Sequence, residues 1–434
     1  MGLIIVAAAL AAVVAAGTLS YTAIANFPVA KNGPEEMPVL KDTELRAEVL
    51  VSGLEFPTSI AFLDADTILV TQKNDGKVRL ISGGELKDEP VLQLDVEEGA
   101  EQGLLGIAVA AAETGGQVSS QVFLYLTEKD RNGGDSGNTT RNRVYSYDFD
   151  HEKSALVNET LILDLPGEPG PFHNGGKIKI GPSDGHLYAI IGDVNEGGGI
   201  LDNTKDGRQP DDRSVILRVD KNTGLPVEGN PFLGNGDDQG WQLARYYAYG
   251  IRNGFGMDFD PVTGHLWMTE NGPDSYDEIN LVTPGFNSGW HVLVGPISRS
   301  NVTLDDLVLL DGASYQDPVI SWRYPIGITD LEFYDSGMLG SRYENGLFVG
   351  DINYGNLYFF ELDPDRTGLS FSPGQQAVAD RVVDPDDAGS DINSELASIV
   401  FGKGFNRITE IETGPDGYLY VVTYLDGKIY KIAR

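Results

Sequence analysis

A short β-strand unit recurs six times along this chain, and this repetition limits the possible folds more than any other feature. In each unit an apolar segment is followed by a Gly/Asp/Pro turn, an alternating strand, a second turn and a third strand. The units begin at Thr58, Leu104, Gly175, Gly254, Ile328 and Ile408. Repeated meanders without long amphipathic helices between them predict an all-β, six-bladed propeller with long inter-strand loops, because radial repetition leaves only short, protected edges.

The last unit ends at the C-terminus and lacks one strand. The segment ELRAEVLVS, residues 44–52, can supply that strand from the N-terminal side and so close the ring within one blade. We therefore expect a signal peptide or anchor at 1–25, a linker at 26–43 and the propeller at 44–434. Polar insertions lengthen several units, and we interpret the last of them, DRVVDPDDAGSDINSEL, as a solvated acidic loop.

The N-terminal segment, residues 3–25, begins with the uncharged run LIIVAAALAAVVAA and ends in the small-x-small tripeptide AIA. This pattern is typical of a secretory signal peptide, although no Lys or Arg precedes the run. The segment is also long enough to span a bilayer, so an uncleaved anchor remains the alternative. We expect an extracellular or periplasmic-type location, either secreted or tethered, with membrane contact only through this segment.

The charge and the absence of cysteine exclude several classes of function. There are 65 Asp and Glu against 31 Lys and Arg, which gives a net charge of −34. Nucleic-acid binding needs clustered cations, so we expect no nucleic-acid partner. The chain has 0 cysteines, so disulfides, thiolate metal sites and a cysteine nucleophile are excluded.

Two loops carry side chains suited to catalysis or binding. His173 stands in PFHNGGK directly before a predicted strand, followed by Gly175 and Gly176, which allow the backbone or a ligand to come close. Arg252 and Asn253 stand together in YGIRNG and offer fixed hydrogen-bond donors. The alternatives are that His173 is structural or solvated and that Arg252 only braces neighbouring loops.

A third loop is rich in oxygen ligands. The stretch TENGPDSYDEIN begins at Thr269 and is followed by NSGW from Asn287. Carboxylates and carbonyls on tight turns are the ligands that calcium prefers. The spacing is not that of an EF-hand, and acidic loops without metal are common, so a metal-free loop remains the alternative.

These stretches, in this order, resemble the glucose/sorbosone dehydrogenase family. The matching segments are QGLLG from Gln102, H-x-G-G with GPSDGHLYAIIGD, ILRVDKNTGLPVEGNPF, GIRN, ENGPDSYDEINLV, NSGW, and NR with GPDGYLYVVT near the C-terminus. The resemblance covers residues 54–432. It implies a soluble quinoprotein aldose sugar dehydrogenase that uses pyrroloquinoline quinone (PQQ) and calcium on a six-bladed propeller.

The resemblance also implies roles for individual residues. It implies that His173 is the general base that takes the proton from the anomeric hydroxyl. It implies quinone contacts for Gln102, Arg252, Asn253 and Arg407. It implies calcium ligands from the carbonyls of Gly272 and Pro273 and, at a second calcium, from Glu278 and the carbonyl of Ser288. The expected reaction is oxidation of an aldose to its lactone, with a sugar substrate and an electron acceptor as partners.

The sequence departs from the family pattern at three positions. Asn353 stands where the family has a lysine, Thr409 where it has the second Arg of R-x-R, and Phe172 where an Asp often precedes the catalytic His. Losing two cations would weaken binding of a cofactor that has three carboxylates. Two alternatives therefore stay open: a propeller that has lost the quinone and acts as an extracellular binding module, and a calcium-dependent lactonase or hydrolase on the same scaffold.

Overall fold

The described part of the chain is almost entirely β-structure. The computed structural model describes residues 37–114, 117–130, 139–234, 240–384 and 392–434, and residues Pro38–Arg434 form one compact unit. Its first strands are β1 (Val39–Leu40), β2 (Arg46–Val51), β3 (Pro57–Asp64), β4 (Thr67–Gln72), β5 (Lys77–Ser82), β6 (Glu85–Leu86), β7 (Leu92–Gln93), β8 (Leu104–Thr114), β9 (Gln117–Asp130), β10 (Thr139–Asp150) and β11 (Ala155–Pro166). The middle strands are β12 (Ile178–Ile180), β13 (Leu187–Ile191), β14 (Val215–Val219), β15 (Tyr246–Tyr249), β16 (Met257–Phe259), β17 (Leu266–Glu270), β18 (Asp277–Val282), β19 (Phe286–Asn287), β20 (Ser314–Tyr315) and β21 (Ile320–Trp322). The last strands are β22 (Ile328–Tyr334), β23 (Gly346–Asp351), β24 (Asn356–Leu362), β25 (Leu369–Ser370), β26 (Val382–Val383), β27 (Val400–Lys403), β28 (Ile408–Thr413), β29 (Leu419–Thr423) and β30 (Lys428–Ala433). The α-helices are α1 (Gly240–Leu243) and α2 (Ile392–Ile399).

Within the described residues these strands form six sheets of four to six strands. In chain order the sheets begin with β3, β8, β12, β16, β22 and β28, and each continues into the next antiparallel strands of its unit. The short strands β19, β20 and β26 join by parallel pairing. This is an all-β propeller fold, with the first strand of each unit on the inside.

Apolar side chains pack between neighbouring sheets. One core joins the β3 and β8 sheets around Leu69 and Leu124, and the next joins the β8 and β12 sheets around Tyr125 and Leu217. Similar cores follow around the molecule, and one of them joins the β28 and β3 sheets through Val422 and other residues. Strands in the middle of this stack are therefore buried on both faces, which explains the fully buried β13, β17 and β22. Complete burial of such side chains stabilises the fold by about 1.5–3 kcal/mol each.

The inner strands carry charged side chains toward one another instead of apolar ones. Nζ of Lys177 lies 2.9 Å from Oδ2 of Asp330 and 2.9 Å from Oε1 of Glu410. Two residues further along β12, Lys179 lies 3.1–3.3 Å from Asp258, Glu332 and Glu412. The alternation of the inner strands places these groups on one face. The inner strands of four sheets are therefore linked by ion pairs that are buried at Lys177 and partly buried at Lys179.

The two ends of the described chain meet in one sheet. Strand β2 pairs antiparallel with β30, with Arg46 opposite Ala433 and Val49 opposite Tyr430. The predicted linker 26–43 contains strand β1, which pairs with β27. The predicted signal or anchor segment lies outside the described residues. Among the described helices, none is long and apolar enough to cross a membrane.

The interpretation of the last insertion as a solvated loop is wrong for its described part. Val382 and Val383 are buried and form β26, which pairs with β21. The end of the insertion enters helix α2, in which Glu395 is fully buried and accepts a hydrogen bond from the amide of Asp384 at 2.6 Å. Two adjacent apolar residues within an acidic stretch were sufficient to extend a sheet.

Candidate active site

The predicted site residues precede the inner strands, and these strand starts are joined to one another at one end of the propeller, which we call its mouth. Gln102, His173, Asn253 and Arg407 come shortly before β8, β12, β16 and β28. Threonine hydroxyls link successive sheets here, with the following donor–acceptor pairs: Thr58 to the carbonyl of Leu104, Thr269 to that of Thr329, Thr329 to that of Ile408, and Thr409 to that of Pro57. The fold thus gathers residues that are hundreds of positions apart in sequence.

His173 is held by a buried carboxylate. Its Nδ1 lies 2.6 Å from Oδ1 of Asp193, and the other oxygen of Asp193 accepts a hydrogen bond from Nε1 of Trp290 at 2.9 Å. Burial acts to raise the pKa of Asp193, but its contacts with His173, Asn195 and Trp290 hold that pKa below the usual range. The His173 side chain is 12% exposed. An ionised Asp193 therefore orients an imidazole that solvent and small molecules can still reach.

The loop that carries His173 has an unusual backbone. His173 itself is in the left-handed region, with φ at +61°. Gly176 has φ at +116°, and a β-carbon there would lie 2.6 Å from Cβ of Leu105. Gly176 is therefore required because the loop packs directly against the QGLLG segment, whereas a β-carbon at Gly175 would lie 2.5 Å from the carbonyl oxygen of Ile190.

Glu101, which the sequence analysis did not single out, connects two predicted site residues. Its Oε2 accepts a hydrogen bond from the main-chain amide of His173 at 2.6 Å and another from Nδ2 of Asn253 at 3.0 Å. The neighbouring Gln102 is buried and packs elsewhere: a β-carbon at Gly99 would lie 2.9 Å from its Oε1, and one at Gly170 would lie 2.8 Å from its Nε2. The structure thus places Glu101, rather than Gln102, in contact with His173.

Asn253 is buried and Arg252 is half-buried, and each has one buried polar atom without a hydrogen-bond partner. The Arg252 guanidinium donates from Nη1 to the carbonyl of Asn271 at 2.9 Å and lies 5.3 Å from the ring centre of Trp290. Its Nε has no hydrogen-bond partner, and neither does Oδ1 of Asn253. One donor and one acceptor are therefore buried beside His173 without partners, which is the condition of a site prepared for a polar ligand.

A small cavity behind Arg252 contains two carboxylates. Its lining includes Glu270, Glu278, Ser288 and Gly272. Glu270 accepts from the amide of Arg252 and from the Ser288 hydroxyl, and Glu278 accepts from the amide of Gly295 at 2.6 Å. Burial raises the pKa of Glu270 to about 7, and burial together with the charge of Glu270 raises the pKa of Glu278 to about 8. Two buried carboxylates that repel each other attract a cation.

The remaining predicted calcium ligands lie on a tightly held turn. Asp277 accepts from the amides of Gly272, Ile326, Gly327 and Ile328 and so ties this turn to the start of β22. Pro273 is exposed. No three or more acidic or histidine side chains converge as a metal site in the described ranges of the chain. Calcium binding by these residues, mostly through their main-chain carbonyls, stays a prediction.

Arg407 and the departing positions lie at the same mouth. Arg407 is half-buried, and its backbone is in the left-handed region with φ at +64°. Burial raises the pKa of the neighbouring Tyr424 to about 12, and the charge of Arg407 opposes that rise. Asn353 is exposed beside Gly327, where a β-carbon would lie 2.9 Å from its Nδ2. Thr409 uses its hydroxyl to bond β28 to Pro57. The structure therefore has no cationic side chain at position 353 or at position 409.

The sequence profile of the Glucose / Sorbosone dehydrogenase family matches residues 54–431. The chain belongs to this family. It is accordingly an enzyme of the oxidoreductase class, and the resemblance stated from its motifs is confirmed.

The relatives of this glucose/sorbosone dehydrogenase family member include aldose sugar dehydrogenases. The aldose sugar dehydrogenase YliI of Escherichia coli K12 is 25% identical over 392 residues, which are 90% of this chain and 93% of the relative. The soluble aldose sugar dehydrogenase structure from E. coli in the apo form has a TM-score of 0.66 at 23% identity and covers 90% of this chain and 99% of that one. The PQQ-bound aldose sugar dehydrogenase of Streptomyces coelicolor has a TM-score of 0.63 at 21% identity, with 91% and 99% covered. These structures share the fold.

Proposed function

We propose that this protein is a PQQ- and calcium-dependent dehydrogenase that oxidises an aldose at the anomeric carbon to its lactone. The observation that carries the proposal is the His173–Asp193 pair beside the unpartnered Nε of Arg252 and Oδ1 of Asn253. A base, an orienting carboxylate and buried polar atoms without partners meet at one mouth of the ring. The presence of sugar dehydrogenases among the relatives supports the substrate class.

His173 acts as the general base. Because its Nδ1 faces the carboxylate of Asp193, the proton of the neutral imidazole resides on Nδ1 and the lone pair on Nε2. Nε2 takes the proton of the anomeric hydroxyl, and Asp193 stabilises the imidazolium that forms. When bound, PQQ supplies the two-electron acceptor for the hydride that leaves the anomeric carbon.

The residues around His173 suit an anionic, planar cofactor. Arg252 offers a buried guanidinium with one donor unused, and Asn253 offers an acceptor whose orientation Glu101 fixes. Arg407 adds a second guanidinium at the same mouth, and Gln102 remains the fourth proposed contact. The carbonyls of Gly272 and Pro273 would hold the calcium beside the quinone, and Glu278 with the carbonyl of Ser288 would hold a second calcium. Glu270 lines the same cavity as Gly272, Glu278 and Ser288 and adds a further hard oxygen donor of the kind that calcium prefers.

We further propose that the six sheets are the six blades of one closed propeller and that residues 44–52 close it. The β2–β30 pairing and the core shared by the β28 and β3 sheets support this closure. Export directed by residues 1–25, as a cleaved signal or an uncleaved anchor, would place the enzyme where extracellular sugars and a membrane or soluble electron acceptor are available.

The first test is a titration of the purified protein with PQQ, with and without calcium, followed by a panel of aldoses with an artificial electron acceptor. We expect saturable, calcium-dependent binding, followed by sugar-dependent bleaching of the quinone absorbance. No binding at micromolar PQQ would contradict the proposal. That result would favour the second candidate function, a binding module without cofactor. This candidate is supported by Asn353 and Thr409, which stand where the family has cations.

Glu278→Gln is expected to remove the calcium-induced stabilisation that comes from the second calcium, without destabilising the calcium-free protein. The substitution removes one of two buried carboxylates that repel each other, so the melting temperature without calcium should stay equal or rise. Calcium at about 100 times its Kd stabilises a protein by about 2.7 kcal/mol for each site that it fills, so the calcium shift of this variant should be smaller than that of wild type by about that amount. Thermal melts with calcium and with a chelator measure both effects. The exposed Glu89→Gln is the control, and an undiminished calcium shift in Glu278→Gln would contradict the assignment.

A further inference from the structure

Lys73 is a buried cation without an anionic partner. It follows β4 in the turn QKNDG, and only 7% of the residue is exposed. Its Nζ donates to Oδ1 of Asn74 at 3.0 Å, and among the residues that the structure describes no carboxylate oxygen lies within 4 Å of it. An ammonium group removed from water in this way is unfavourable unless an anion compensates it.

Comparison with the other buried lysines shows that this arrangement is exceptional. The described part of the chain contains three buried lysines: Lys73, Lys177 and Lys428. Lys177 has two carboxylates at 2.9 Å, and Lys428 has Asp426 at 3.6 Å. Lys73 is therefore the one whose charge the protein itself leaves uncompensated at contact distance.

Lys73 lies at the mouth that contains His173. Its main-chain carbonyl accepts from the amide of Leu104 at 3.0 Å, and its Cγ would lie 2.6 Å from a β-carbon at Gly103. Burial lowers the pKa of Lys73 to about 8, against the raising effect of Glu101 and Glu98. Glu101 is the carboxylate that bonds His173 and Asn253. The ammonium thus interacts electrostatically with the carboxylate that bonds both His173 and Asn253.

We propose that Lys73 binds a carboxylate of the quinone cofactor and supplies positive charge that Asn353 and Thr409 do not provide. This inference rests on the proposed function. A tricarboxylate placed among Arg252, Arg407 and Lys73 meets three cations from three sheets, and the unpaired ammonium gains the anion it lacks. Lys73 belongs to a different sheet from Asn353 and Thr409. Compared with the family pattern, the positive charge would therefore come from another place at the same mouth.

The test compares Lys73→Met with wild type, with Lys73→Arg and with Lys87→Met. Lys87 lies on the same sheet, its side chain is 43% exposed, and its replacement changes the net charge equally. The Kd for PQQ, measured by absorbance titration at saturating calcium, is expected to rise about 10–100-fold in Lys73→Met. Lys73→Arg should stay within a few-fold of wild type, and Lys87→Met should be unchanged. The melting temperature without cofactor should not fall in Lys73→Met, because a buried, unpaired charge is removed.

Each outcome decides between the claims. Tight PQQ binding by both wild type and Lys73→Met would overturn the role of Lys73 while the proposed function stands. No PQQ binding by wild type would overturn both. If Lys73→Met does not fold, Lys73→Gln keeps a hydrogen-bonding group opposite Asn74 without the charge. Its unchanged PQQ affinity would then overturn the inference, and its weakened affinity with a smaller dependence of Kd on salt would support it.

Discussion

His173→Ala is expected to lower kcat for aldose oxidation by a factor of about 10²–10⁴, the usual contribution of a positioned general base. The imidazole of His173 is partly exposed at the mouth, and its Nδ1 contacts the buried carboxylate of Asp193. The affinity for PQQ should change little, because Arg252, Asn253, Lys73 and Arg407 remain. Steady-state kinetics with an artificial acceptor, together with a PQQ titration of the same preparation, separate loss of chemistry from loss of cofactor.

Two further variants test the role of Asp193 and provide a control for loss of a histidine. Asp193→Asn keeps the size of the side chain and its place beside Trp290 but removes the charge that fixes the Nδ1 tautomer. We expect kcat to fall while the KM for sugar stays near the wild-type value. His151→Ala, at an exposed turn, should match wild type in both parameters. Full activity of His173→Ala with normal PQQ binding would refute the assignment of the base.

The fold could be predicted from local pattern because each strand is encoded by its own alternation and turns. The recurring unit beginning at Thr58 became the sheet of β3 to β5, and residues 44–52 contain β2, which pairs with β30 as expected. The short strand β26 could not be predicted, since two valines in an acidic stretch show no periodicity. Its stability comes from pairing with β21 of a distant unit.

The site was predictable only where a residue carries its own chemical signature. His173, Arg252 and Asn253 did so through their motifs. Glu101, Asp193 and Lys73 were missed because their importance arises from contacts made by folding. Glu101 meets His173 across 72 positions and Asn253 across 152. In a chain with 65 acidic residues, nothing local distinguishes Glu101 from the acidic residues beside it.

Lys177→Met is expected to destabilise the protein by about 3–5 kcal/mol near pH 8, the usual effect of leaving buried carboxylates without their cation. Lys177 is 5% exposed and bonds Asp330 and Glu410, which are 0% and 3% exposed. Three of the six sheets thus depend on this one ammonium. Lys153→Met removes an equal charge from an exposed pair with Asp150 and should change stability by about 0–1 kcal/mol. Urea denaturation of both variants measures the difference.

The destabilisation by Lys177→Met should depend on pH with a defined sign. Burial raises the pKa of Glu410 to about 8, whereas Lys177 opposes that rise. A carboxyl whose pKa is higher in the folded than in the unfolded state contributes stability at low pH and loses it as pH rises through the folded value. Without Lys177 the folded pKa of Glu410 rises further, so Glu410 retains its proton near pH 5 and the variant approaches wild-type stability there. From pH 5 to 8 the deficit should grow steadily. A deficit equal at both pH values would mean that packing of the lysine stem, rather than its charge, holds the β12, β22 and β28 sheets together.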